Sequence, residues 1–205
     1  MILFIFISFE IIFGCHTCAW FYYTQNEFKH LNKISSSNQK MPDTKQKQSA
    51  NLTVEQSHAN VIWRAAWLSI ISMSHAMYHE QTCFAIVAGG VMFTSLNYWR
   101  NPVRNSWRRY TDIVYVHICL CYQLKQAYNL NDSYYRNVYY GCTMMCVMCY
   151  GMGCLFMMLN MPRTSVYAHA GIHVVANIGN IVLQKGTLAS IPLSNGFADW
   201  EPGDI

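Results

Sequence analysis

The chain has 205 residues, of which 53% are hydrophobic and 12% charged, with a formal net charge of +4. Soluble domains carry roughly 25% charged residues, so this balance excludes an ordinary soluble domain. Nine cysteines, an odd number lying mostly inside apolar stretches, exclude a disulfide-framed fold.

Met1 to Tyr23 is apolar but interrupted by Glu10. It lacks a basic leading region and a clean small-residue cleavage site, so it resembles an uncleaved signal anchor more than a cleaved signal. Its Cys15 and Cys18 form a CxxC without a matching second half, a weak metal signal. Residues 24–58 are rich in Ser, Asn, Gln and Lys, which predicts a polar disordered linker. Met41 offers a second start inside it, so residues 1–40 also read as an upstream extension.

Five apolar blocks follow at about 59–79, 82–99, 110–125, 135–160 and 166–184. Each approaches the ~20 residues that cross a bilayer as a helix. The expected fold is all-α, a polytopic transmembrane bundle of five core helices over 59–184, with the N-terminal anchor as a sixth. The third block is short and needs interfacial neighbours to complete it. The fourth is rich in methionine, which at helical spacing is packing material. Its Cys142, Cys146 and Cys149 share one helix face and read as small contact residues. Residues 185–205, broken by Pro192, Gly196, Pro202 and Gly203, predict an irregular tail.

Cations set the expected orientation. With five crossings, one side collects Lys29, Lys33, Lys40, Lys45, Lys47, Arg64, Arg100, Arg104, Arg108, Arg109 and Arg163, and the other only Lys125, Arg136 and Lys185. The positive-inside rule places the linker and the arginine loop in the cytosol and the C-terminus across the membrane. Around that loop, Trp99, Trp107 and Tyr110 suit the headgroup level, and the arginines suit lipid phosphates or topology. The partner implied is the lipid bilayer, and nucleic acid is not, because the cations lie along a membrane boundary.

The chemistry-bearing residues are few. In the last block His169, His173, Asn177 and Asn180 advance by four, four and three residues, which places them on one helix face. Polar groups in hydrocarbon are costly, so that face must meet protein, water or an ion. Under the expected topology Ser95, Asn97, Asp112, His117, His169 and His173 share the cytosolic layer of the membrane. His75 and His79, a second i, i+4 pair, fall at the opposite end and read as interfacial. Asp112 has two readings, a helix-start device or a functional carboxylate.

Two imidazoles four residues apart can ligate one Zn²⁺, and catalytic zinc takes three protein ligands and a water. Such a zinc would suit hydrolysis of a lipid amide or ester, with Asp112 on the water and Ser95 on the oxyanion or water. Ser95, Asp112 and the pair His169-x3-His173 together resemble the CREST superfamily of membrane hydrolases, the alkaline ceramidases and progestin/adiponectin receptors. The resemblance implies zinc held by His169 and His173, Asp112 as the acid/base and Ser95 as the serine of a Ser-x3-His pair supplying the third ligand. Here Trp99 stands where that histidine belongs, and a frame from Asn97 puts Asn101 there. His117 is the substitute third ligand. The family also has seven crossings against five or six here. The expected function is therefore a zinc-dependent lipid amide hydrolase of CREST type or a degenerate relative. Two alternatives stand beside it: a non-catalytic structural protein with interhelical polar contacts, and b-type haem held between His117 and His173.

Overall fold

A computed structural model describes residue 52 and residues 54–103 and 105–190. The anchor-like segment, nearly all of the polar linker and most of the C-terminal tail lie outside the described residues. Six helical segments account for most of the described residues, and no strand occurs among them. They are α1 (Gln56–Ala66), α2 (Ser69–Tyr78), α3 (Thr82–Trp99), α4 (Trp107–Tyr128), α5 (Ser133–Met158) and α6 (Pro162–Ala189). By length and composition α3, α5 and α6 can each cross a membrane. Helix α4 falls outside that group because Arg108, Arg109, Asp112 and Lys125 dilute it.

The block expected over 59–79 is two helices rather than one. Trp67 and Leu68 keep helical dihedrals, but Trp67, Leu68, Ile70 and Ile71 donate their N–H groups three residues back instead of four. That tightening bends the rod without proline or glycine. Other boundaries follow local chemistry. Ser106 caps α4 by accepting from the Arg109 N–H at 3.3 Å, and Asp132 caps α5 by accepting from the Tyr134 N–H at 2.8 Å. Pro162 opens α6 at a position where its missing N–H is not needed.

Helices α2 and α5 end in left-handed residues, Glu80 (φ 57°) and Asn160 (φ 58°), and the next N–H reaches back to Ala76 and Phe156 respectively. Asparagine tolerates that conformation, whereas glutamate crowds its Cβ against the carbonyl. Glu80→Gly is expected to stabilise the protein by about 1 kcal/mol, read as a higher midpoint in thermal unfolding of detergent-solubilised protein.

Helices α5 and α6 form a close antiparallel hairpin. Cys149 and Cys142 approach α6 at Gly171 and Gly179, and Cys146 Sγ lies 3.8 Å from the Ile172 carbonyl. The three thiols act as small helix-contact residues, as their spacing predicts. Gly186 admits Leu130 and Tyr135, where any Cβ would meet the Tyr135 Cβ at 2.7 Å. Two apolar clusters close the ends of the bundle. One joins Val54, Ala59 and Ile62 to Tyr98, Trp99 and Val166; the other joins Ala76 and Phe84 to Ala127, Leu130, Tyr139 and Leu183. Between those ends, hydrogen bonds fix α4 to α3 at Asp112 and Tyr115. Its anchor to α5 and α6 lies further along, where Gln123 bonds Asn180 and Tyr139.

Candidate functional site

The four polar residues of α6 do not face a common partner. His169 stacks edge-on against Trp99 of α3, with ring centroids 5.0 Å apart. His173 is buried, and its carbonyl accepts from Asn177 Nδ2 at 2.8 Å. Asn177 turns to α2, where its Oδ1 accepts from Ser72 Oγ at 2.8 Å. Asn180 turns to α4 and accepts from Gln123 Nε2 at 2.8 Å. The stripe is a seam along which α6 meets three different helices, because a 3.6-residue period lets the face drift around the axis.

The last turns of α3 and the first turns of α4 form the other half. Asp112 Oδ1 accepts from Ser95 Oγ at 2.8 Å and from Thr94 Oγ1 at 2.9 Å. A carboxylate at this depth is tolerable because two hydroxyls satisfy it. This arrangement is more than a helix-start device, since the bonds run to a neighbouring helix. Thr94 was not among the expected site residues; its adjacency to Ser95 was the available signal. His117 is held within α4, its Nδ1 donating to the Ile113 carbonyl at 2.6 Å.

Ser95, Asp112, His117, His169 and His173 all line one partly open cavity of about 400 Å³ between α3, α4, α5 and α6, to which Val54, just before α1, and Ile62 of α1 also contribute. The rest of its wall is mainly apolar. Gln123, Tyr139 and Asn180 close the inner end, and Arg109 lines the end where α4 begins. Gln123 and Tyr139 were not expected to contribute, because a lone amide or phenol carries no spacing signal, whereas Arg109 belongs to the loop whose arginines suit lipid phosphates or topology.

A catalytic zinc requires three protein donors and an open position. Among the described residues no three His, Cys, Asp or Glu side chains are grouped to hold a metal ion. His169 and His173 remain neighbours, with ring centroids 6.1 Å apart. Against His169, where a third imidazole would complete the set, lies the Trp99 indole, which donates a hydrogen bond but offers no lone pair. Among the described residues the donor set is one ligand short of the zinc site that the resemblance implies. His117 and His173, the pair considered for haem, line the cavity from different helices.

No family model, curated protein or solved structure matches this chain. The site is consequently argued from its own geometry. His75 and His79 belong elsewhere: His75 Nδ1 donates to Gln184 Oε1 at 2.7 Å, and Gln184 Nε2 donates to the Ser72 carbonyl at 3.1 Å. His75 thus forms part of the α2–α6 contact, and His79 caps the end of α2 with its ring 4.7 Å from that of His75.

Proposed function

We propose that this chain is a multi-pass membrane protein whose helices enclose a binding cavity for a lipid-type molecule, as a degenerate, non-hydrolytic relative of the CREST hydrolases. The observation that carries the reading is the placement of Trp99 against His169 in a cavity whose wall is mainly apolar. Serine, aspartate and both α6 histidines persist there, while the third ligand position holds an indole. An apolar cavity with a few convergent polar groups is the general form of a small-molecule site. Its size is within the usual range of several hundred Å³ for such sites. The polar groups then orient a headgroup or carbonyl: the paired hydroxyls of Thr94 and Ser95 hold Asp112 as an acceptor, and the imidazoles provide further donors and acceptors.

Native mass spectrometry of protein extracted in mild detergent, with elemental analysis of the same sample, tests this. Wild type is expected to retain a bound lipid and less than ~0.1 equivalent of zinc, because two imidazoles are a weak site. Stoichiometric zinc that disappears in His173→Ala would overturn the non-hydrolytic reading and restore the hydrolase.

A further inference from the structure

Arg109 lines the end of the cavity where α4 begins. It lies in the first turn of α4, one turn before Asp112, and lines the cavity with Val116, Met157 and Met158. Its guanidinium makes no hydrogen bond or ion pair with other described residues. The neighbouring Arg108 is engaged differently, its guanidinium lying 6.0 Å over the Trp107 ring. A guanidinium beside an apolar slot has a fixed fork of donors that matches an oxyanion.

The hydrogen bonds also fix the order of the lining along the cavity. Helices α4 and α6 run in the same direction, tied together at Gln123 and Asn180, so Arg109 stands at the opposite end from that tie. Asp112 and His169 follow, then His117 and His173, then apolar Leu120 and Ala176. Asp112 accepts from the hydroxyls of Thr94 and Ser95, which are thereby not left to hold an anion further in. An oxyanion is best matched at the Arg109 end, and a hydrocarbon chain suits the mainly apolar wall between there and Gln123, Tyr139 and Asn180.

Resting on the lipid-cavity reading, we infer that the ligand is an acyl lipid carrying an oxyanion, phosphate or carboxylate, held by Arg109 at its end of the cavity while its chain runs inward between α4, α5 and α6. Arg109 sets the selectivity for the anion and the apolar wall sets the requirement for a chain.

The test measures binding of three oleoyl probes to full-length protein in neutral-lipid nanodiscs: oleoyl lysophosphatidate, oleate and mono-oleoylglycerol. Wild type is expected to favour lysophosphatidate or oleate over mono-oleoylglycerol by roughly ten- to a hundredfold, the range for a hydrogen bond to a charged group. Whichever anion binds tighter identifies phosphate or carboxylate as the source. Arg109→Gln should bring the anion-to-neutral ratio close to one. Arg108→Gln removes the same charge outside the cavity and should preserve the ratio. Ala176→Phe, which fills the slot, should weaken all three probes. Equal affinities in wild type, or equal loss in Arg109→Gln and Arg108→Gln, would overturn the anionic assignment while leaving the lipid cavity standing. If wild type binds no probe, or Ala176→Phe changes nothing, the cavity reading fails and this inference fails with it.

Discussion

Trp99→His is expected to raise bound zinc to ~1 equivalent from the small amount expected of wild type, because it completes a three-imidazole set with His169 and His173. Trp99 is buried, 6% exposed, and its ring already lies against His169, so a histidine there starts within reach of the pair. Losing the indole from the cluster with Tyr98 and Val166 removes packing worth about 3 kcal/mol, and the variant alone should melt below wild type. Added zinc should then raise its melting temperature, since a ligand that binds only the folded state stabilises it in proportion to the logarithm of concentration. Wild type should show no such response, and adding His173→Ala to the variant should abolish it. A folded Trp99→His protein that takes up no zinc would show that the three positions do not converge on one metal, and the degenerate-site account would fall.

Gln184→Leu is expected to cost about 2–3 kcal/mol although it replaces an amide with an apolar residue of similar size. Gln184 is 1% exposed and joins three partners: His75 through Oε1, the Ser72 carbonyl through Nε2, and Gln81 through its own carbonyl. The variant leaves a His75 N–H without its acceptor in a nearly dry contact, and an unpaired buried donor costs more than the lost bond. Chemical denaturation in detergent measures the loss. A change under about 0.5 kcal/mol, the usual range for substitutions away from structural features, would show that α2 and α6 are held by packing alone. A double-mutant cycle between Ser72 and Asn177 should give a smaller coupling, about 0.6 kcal/mol, as interhelical bonds in membranes average.

The helical blocks were legible in the sequence because apolar length and polar interruptions are local properties. Asp132, Ser106 and Pro162 mark boundaries by their own chemistry. The bend at Trp67–Leu68 was not legible, since neither residue disfavours a helix and the change is in hydrogen-bond register. In the site, Ser95, Asp112, His169 and His173 stood out as polar groups at a common depth, and the cavity that they line gives them a shared setting. What sequence spacing could not convey is pairing between helices. Nothing local tells Asn177 to face α2 and Asn180 to face α4, or puts an indole against His169. The absent histidine at position 99 was visible as a gap, and only the fold shows which side chain stands beside His169.

The bend between α1 and α2 lets one rod grip α6 near both of its ends by different means. Near its start the contact is hydrocarbon, through Ile62 and Val166; further along it is amide and hydroxyl, through Ser72, Asn177 and Gln184. Hydrocarbon scarcely distinguishes a neighbouring side chain from a lipid tail, so the first contact tolerates sliding. The second does not. Advancing α6 by one turn would bring Ile181 and Leu188 to the places of Asn177 and Gln184, stranding Ser72 and His75. The axial position of α6, and with it the height at which His169 meets Trp99, is thus specified from the far end of the helix by residues that never touch the cavity.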